Sequence, residues 1–170
     1  MNAATSVEQL VEQLGLQPHP EGGYYREVFR ASTTVEHPGI PAGEDARRCG
    51  GSLIYYLLEP GDFSAFHRVR WTDEIWHFYA GGPIELHTID DSGTHSFATI
   101  HNSLGKTEPT FVVPAGHWQA ARLADDYGWA LCGCTVAPGF EFADYEMPSR
   151  AELQRRFPAH AAIIETLTRP

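Results

Sequence analysis

Gly61-Asp62-Phe63-Ser64-Ala65-Phe66-His67-Arg68-Val69-Arg70-Trp71-Thr72-Asp73-Glu74-Ile75-Trp76-His77-Phe78-Tyr79-Ala80-Gly81 is the stretch on which the fold turns. Two runs rich in aromatic and aliphatic residues, 63–69 and 74–79, flank a short polar link. Pro60-Gly61 closes one side and Gly81-Gly82-Pro83 the other. Runs of this length between turn residues read as strands. Side chains alternate along a strand, so an inward His67 brings Val69 inward. An inward Glu74 brings Trp76 and Phe78, and sends Asp73, Ile75 and His77 to the other face. A His near the end of one strand and a Glu at the start of the next then converge across a hairpin. They form a polar spot on an apolar wall, the composition of a ligand pocket.

Outward from this stretch the pattern repeats. Residues 24–29, 52–58, 84–89, 96–101, 110–113, 117–123, 129–137 and 141–145 complete about ten short strands, the spacing of an all-β sandwich or barrel. The ends differ. Val7, Leu10, Val11 and Leu14 recur at helical spacing, Thr5 with Glu8 or Ser6 with Gln9 supplies a capping box, and Gly15 stops the helix. Ser149 with Glu152 opens a second helix carrying Leu153 and Phe157; it breaks at Pro158 and resumes for a turn or two through Ile163, Ile164 and Leu167. The expectation is one domain over 1–170, with a helix at about 6–14, a barrel at about 20–146 and C-terminal helices at about 149–168. Residues 31–50, with Pro38, Gly39, Pro41, Gly43 and Gly50-Gly51, read as a long loop.

Composition narrows the partners. Twelve Lys and Arg against 22 Asp and Glu leave a net charge of −10 in 170 residues. That repels phosphate backbones and anionic lipid surfaces, so neither nucleic acid nor membrane is an expected partner. There is no run of 18 apolar residues, and residues 1–10 lack a basic region followed by an apolar one, so the cytoplasm is the expected location. Three cysteines, Cys49, Cys132 and Cys134, have no disulfide framework spacing and read as buried thiols.

Two further segments carry polar groups suited to a pocket. Pro20-Glu21-Gly22-Gly23-Tyr24-Tyr25-Arg26 is a tight turn into a strand, which places Glu21, Tyr24 or Arg26 at the pocket mouth. Val113-Pro114-Ala115-Gly116-His117-Trp118-Gln119 opens a strand in which either Gln119 or Trp118 faces inward. Trp76 and Phe78 are either core or a stacking surface for a ring.

Gly61, His67, Glu74 and Gly81, followed by Pro114, Gly116 and Gln119, resemble the two signature motifs of the cupin superfamily. His19 to Glu27, Ser52 to Leu58, Phe66-His67-Arg68, Asp73 to His77 and Val136 to Glu141 resemble its DUF985 (cupin-5) branch, described as predicted sugar epimerases. The resemblance covers nearly the whole chain. It implies a double-stranded β-helix, or jelly-roll barrel, often a homodimer. Metal-binding cupins present three His and one Glu. Here Val69 and Gln119 stand at two of the His positions and Leu123 at the motif's Asn position. The resemblance therefore implies no metal cofactor; His67, Glu74 and Gln119 are the set a divalent metal would use if one bound. What it implies chemically is a metal-independent acid–base isomerase or epimerase of a sugar or nucleotide sugar, with His67 as base and Glu74 orienting it. Tyr24, Tyr56 or Tyr79 would be the acid, and Glu21, Tyr24, Arg26, Tyr56, Trp76, Phe78 and Gln119 would contact substrate. A metal-dependent lyase, isomerase or dioxygenase, and a non-catalytic ligand-binding protein, are the alternatives. On this reading His67→Ala abolishes turnover with little change in melting temperature.

Overall fold

Both end helices begin where a Ser can cap them. Ser6 and Gln9 form a reciprocal capping box at α1 (Val7–Leu14), and Gly15 ends it in the left-handed region at φ 60°. Ser149 and Glu152 do the same for α2 (Arg150–Arg156), and α3 (Ala161–Thr166) follows a 3₁₀ turn begun by Pro158. The computed structural model describes residues 5–103, 107–124 and 127–170. None of its helices is long and apolar enough to cross a membrane.

Between the helices the described residues form thirteen strands. They are β1 (Gln17–Pro18), β2 (Tyr24–Arg30), β3 (Thr34–Glu36), β4 (Arg47–Cys49), β5 (Ser52–Leu58), β6 (Phe63–Val69) and β7 (Glu74–Gly81). Then follow β8 (Ile84–Ile89), β9 (His95–Ile100), β10 (Thr110–Val113), β11 (Trp118–Leu123), β12 (Ala130–Val136) and β13 (Tyr145–Glu146). One sheet has the order β1-β2-β5-β12-β7-β10 and the other β13-β6-β11-β8-β9, with antiparallel pairing throughout both.

β6 and β7 therefore do not pair as a hairpin. The link 70–73 carries the chain from one sheet to the other, so β6 bonds β11 and β13 while β7 bonds β10 and β12. His67 and Glu74 belong to opposite walls of the barrel. Alternation holds within each wall: Tyr56, Leu58, Trp76, Leu86, Ala121, Leu123, Cys132 and Cys134 fill the space between the sheets. Neighbours on the outer face of the five-stranded sheet, Phe66, Ile89, Trp118 and Ala120, are buried beneath Leu153, Phe157, Ile164 and Leu167 of the C-terminal helices. At roughly 1.5–3 kcal/mol per fully buried large side chain, this second layer commits β6 and β11 to one register.

Two expectations are corrected. Segment 31–50 is not all loop: β3 and β4 pair with Thr34 opposite Cys49. Arg48 of β4 is buried, and its guanidinium forks onto Asp144 through Nε at 2.6 Å and an NH2 group at 2.7 Å. Residues 141–145 do not form a strand either. Phe142–Asp144 is a 3₁₀ turn and only Tyr145–Glu146 pairs, with Val69 and Arg68.

Candidate functional site

The turn before β2 builds the site. Gly22 and Gly23 take φ of 115° and 66°, and a Cβ on Gly22 would strike the Phe63 carbonyl, so the two glycines are required by both conformation and space. The turn is pinned to its surroundings: Ala65 N–H donates to the Glu21 carbonyl at 2.9 Å, Gly23 N–H to Asp62 at 2.7 Å, and the Tyr56 hydroxyl to the Gly22 carbonyl at 2.6 Å. Glu21 is thereby carried into the barrel, where its side chain meets His67.

His67 Nδ1–H lies 2.8 Å from Glu21 Oε2 and 2.8 Å from the Ala65 carbonyl. The far edge of the ring, with Nε2, makes no hydrogen bond to any described residue, and His67 forms part of a cavity wall. Burial alone would drive the imidazole down. The Glu21 carboxylate overrides it and, with help from Glu74, raises its pKa to about 9. Burial alone would likewise push Glu21 up, but the His67 imidazolium, by its charge and its hydrogen bond, holds the carboxyl below the ordinary range. At neutral pH the two form a buried ion pair.

Across the cavity, Glu74 begins β7. Burial places its carboxyl above the ordinary range, against the pull of His67. Gln119 Nε2–H donates to Glu74 Oε2 at 2.6 Å, and Gln119 Oε1 accepts from Trp76 Nε1–H at 2.9 Å. Tyr145 of β13 stacks on His67 with ring centroids 5.4 Å apart, and its hydroxyl lies 3.4 Å from Glu21 Oε2. Burial, then Glu21, keeps this phenol far above its usual pKa, so it stays neutral. Cys134, also on the wall, is a neutral thiol because burial pushes it up. The cavity encloses about 280 Å³.

The candidate residues divide. Glu21, His67 and Glu74 line the cavity together. Glu21 was expected at the mouth as a substrate contact; it is buried and makes the contact with the His67 ring that was expected of Glu74. Gln119 and Trp76 stand behind Glu74, bonded to each other, and Tyr56 is inward but its hydroxyl is spent on Gly22. Tyr24, Arg26 and Phe78 do not line the cavity. Tyr24 lies near Glu59, Arg26 lies over Tyr55 at 5.6 Å, and Phe78 packs by His101. Tyr79 stands against Tyr55. The physical reason is strand register: Tyr25 and Glu27 point inward, so Tyr24 and Arg26 cannot. Lining residues absent from the sequence-based set include Tyr25, Glu27, Arg30, Phe140, Glu141 and Tyr145. Alternation offered Tyr25 and Glu27 as the other half of β2; nothing local marks Tyr145, which reaches His67 only through β13–β6 pairing.

The donor chemistry does not fit a metal centre. Gln119 has its carbonyl oxygen taken by Trp76 and turns its NH2 to Glu74, while Val69 offers no lone pair. Among the described residues no three His, Cys, Asp or Glu side chains are arranged to hold a metal ion.

Comparison with known proteins agrees with this architecture. Residues 8–148 match the family model Cupin superfamily (DUF985). An uncharacterized protein of Saccharomyces cerevisiae, YML079W, is 30% identical over 152 residues, covering 83% of this chain and 74% of its own. A hypothetical protein from Leishmania major superposes with a TM-score of 0.88 at 30% identity, covering 97% of this chain and 99% of that one. Protein SO0799 from Shewanella oneidensis superposes with a TM-score of 0.85 at 34% identity, covering 98% and 99%. With two facing antiparallel sheets, a cavity between them lined by Glu21, His67 and Glu74, and a family match over most of its length, this chain belongs to the DUF985 family of the cupin superfamily.

Proposed function

We propose that this cupin is a metal-independent acid–base isomerase or epimerase acting beside the carbonyl of a small polyhydroxylated molecule. The observation that supports this most is the buried Glu21–His67 pair, with the imidazole raised to about 9, facing a second buried carboxyl in Glu74. The two carboxyls beside this imidazole are pushed in opposite directions, Glu21 below the ordinary range and Glu74 above it, and titratable groups set apart in this way are what proton transfer at a carbon acid needs. His67 begins as the imidazolium, so it is the acid of the pair and not the base. Its Nε2–H donates to the substrate carbonyl oxygen, where negative charge develops. Glu74 takes the α-proton, and the electron pair moves to that oxygen. His67 protonates that oxygen to give an enediol. For an isomer, the neighbouring hydroxyl gives its proton to His67, a carbonyl forms at the former α-carbon, and Glu74 returns its proton to the former carbonyl carbon. For an epimer, the first oxygen gives its proton back to His67 as its carbonyl re-forms, Tyr145 protonates the α-carbon from the other face, and the proton left on Glu74 passes through solvent to the Tyr145 phenolate.

The test is exchange in D₂O. Proton NMR of free aldoses and ketoses incubated with the protein should show loss of the signal from the carbon next to the carbonyl. Glu74→Gln should slow it by about 10²–10⁴, the range for losing a general base, with the fold intact. Ligands that bind without any exchange would sink the isomerase reading and leave a binding protein.

A further inference from the structure

Among the described residues a single arginine lies on the cavity wall, and it has no donor left to give. Arg30 Nε–H is directed at Glu27 at 3.1 and 3.2 Å. One terminal nitrogen donates to Glu141 at 2.9 Å and to Cys49 at 3.4 Å, and the other to Glu27 at 2.9 Å and the Phe140 carbonyl at 3.1 Å. That accounts for all five guanidinium N–H groups. Four carboxyls line the cavity, Glu21, Glu27, Glu74 and Glu141, against Arg30 and the His67 imidazolium; His19 is held neutral chiefly by burial. The wall carries net negative charge at neutral pH. A phosphate could capture Arg30 only by leaving Glu27 and Glu141 unpaired beside a dianion. A cavity of about 280 Å³ also lies just below the usual range of ligand sites, roughly 300–1,000 Å³, and is too small to enclose a whole nucleotide sugar.

We infer that the cavity takes an uncharged, unphosphorylated molecule of monosaccharide size, and that Glu27 and Glu141, by saturating Arg30, exclude anions. This rests on the cavity being the ligand site proposed above, and it replaces nucleotide sugars as the expected class. Glu27 and Glu141 are specificity residues, since neither touches the proton-transfer groups in the hydrogen-bond network described.

The experiment is equilibrium binding followed by NMR at the Arg30 Nε–H and the His67 ring. The probes are inorganic phosphate and the pair fructose and fructose 6-phosphate. The native protein should give no saturable response to phosphate, and fructose 6-phosphate should bind more weakly than fructose. Glu27→Gln with Glu141→Gln should gain phosphate binding by tenfold or more, on the order expected when two nearby like charges are removed, and Arg30→Gln in that background should abolish the gain. Glu141→Gln alone serves if the double variant fails to fold. Saturable phosphate or sugar-phosphate binding at Arg30 in the native protein would overturn the inference, as would no gain in either variant. Because binding and deuterium exchange are read separately, an intact anion barrier without exchange would sink the isomerase reading alone.

Discussion

Replacing Glu21 by Gln removes the charge opposite His67 while keeping its size. The imidazole is raised to about 9 from its ordinary 6.5, and at 1.36 kcal/mol per pH unit that difference corresponds to about 3 kcal/mol of interaction. His67 holds its proton more tightly folded than unfolded. Its contribution is complete below 6.5 and disappears as pH climbs through about 9. Glu21 works in the other direction: with its folded carboxyl below 4.5, its share is present above that value and is lost as pH falls through the folded pKa. Glu21→Gln should therefore cost about 3 kcal/mol in urea denaturation at pH 6 and much less at pH 9.5. The His67 titration, followed by NMR of the ring, should fall below 6.5, because burial persists after its main counter-charge is gone. A midpoint still near 9, or equal destabilisation at both pH values, would refute the ion-pair account and leave Glu21 as packing.

Asp144→Asn leaves the buried Arg48 guanidinium without its counter-charge and should cost about 3–5 kcal/mol, whereas Arg48→Met combined with Asp144→Leu should recover most of it in the same denaturation assay. His67→Ala should lower the melting temperature as well as activity, contrary to the expectation from sequence. It strands Glu21 and Glu74 as buried carboxyls without a cation, so the loss should be larger at pH 8 than near pH 4.5, where they take up protons.

What the sequence disclosed followed from local rules. Capping boxes at Ser6 and Ser149, the stop at Gly15 and the break at Pro158 are chemistry within four residues of each helix end. The strands around His67 and Glu74 were legible from turn residues and alternation. Their partners were not: a crossover between sheets and a hairpin both read as two strands joined by four residues. The same limit hid β3 and β4, whose anchor, Arg48, finds Asp144 ninety-six residues away. It hid Tyr145 too, which lies seventy-eight positions from His67 and reaches it only because Tyr145 pairs with Val69. Glu21 was in view, but its role depends on Gly22-Gly23 turning its side chain inward, and a glycine pair does not announce the direction of its turn.

The charge balance of the barrel gives these pieces one logic. A carboxyl at Glu74, buried between two sheets, needs a positive charge or a proton. In the metal-binding cupins that these motifs resemble, a cation held by three His supplies it. Here two of those positions hold Val69 and Gln119, and Gln119 spends both ends of its amide on Trp76 and Glu74. The positive charge comes instead from His67, and an imidazole carries it stably in a dry site only if another carboxylate stands on its other edge. Glu21 is that carboxylate, delivered by a turn outside the two motif segments. The replacement changes what the site can do. A dication polarises a carbonyl without giving up a proton, whereas an imidazolium with pKa about 9 polarises it and also has a proton to transfer. On the function proposed above, the residues that stand where metal ligands would otherwise be expected thus lead, through Glu21, to proton-transfer chemistry.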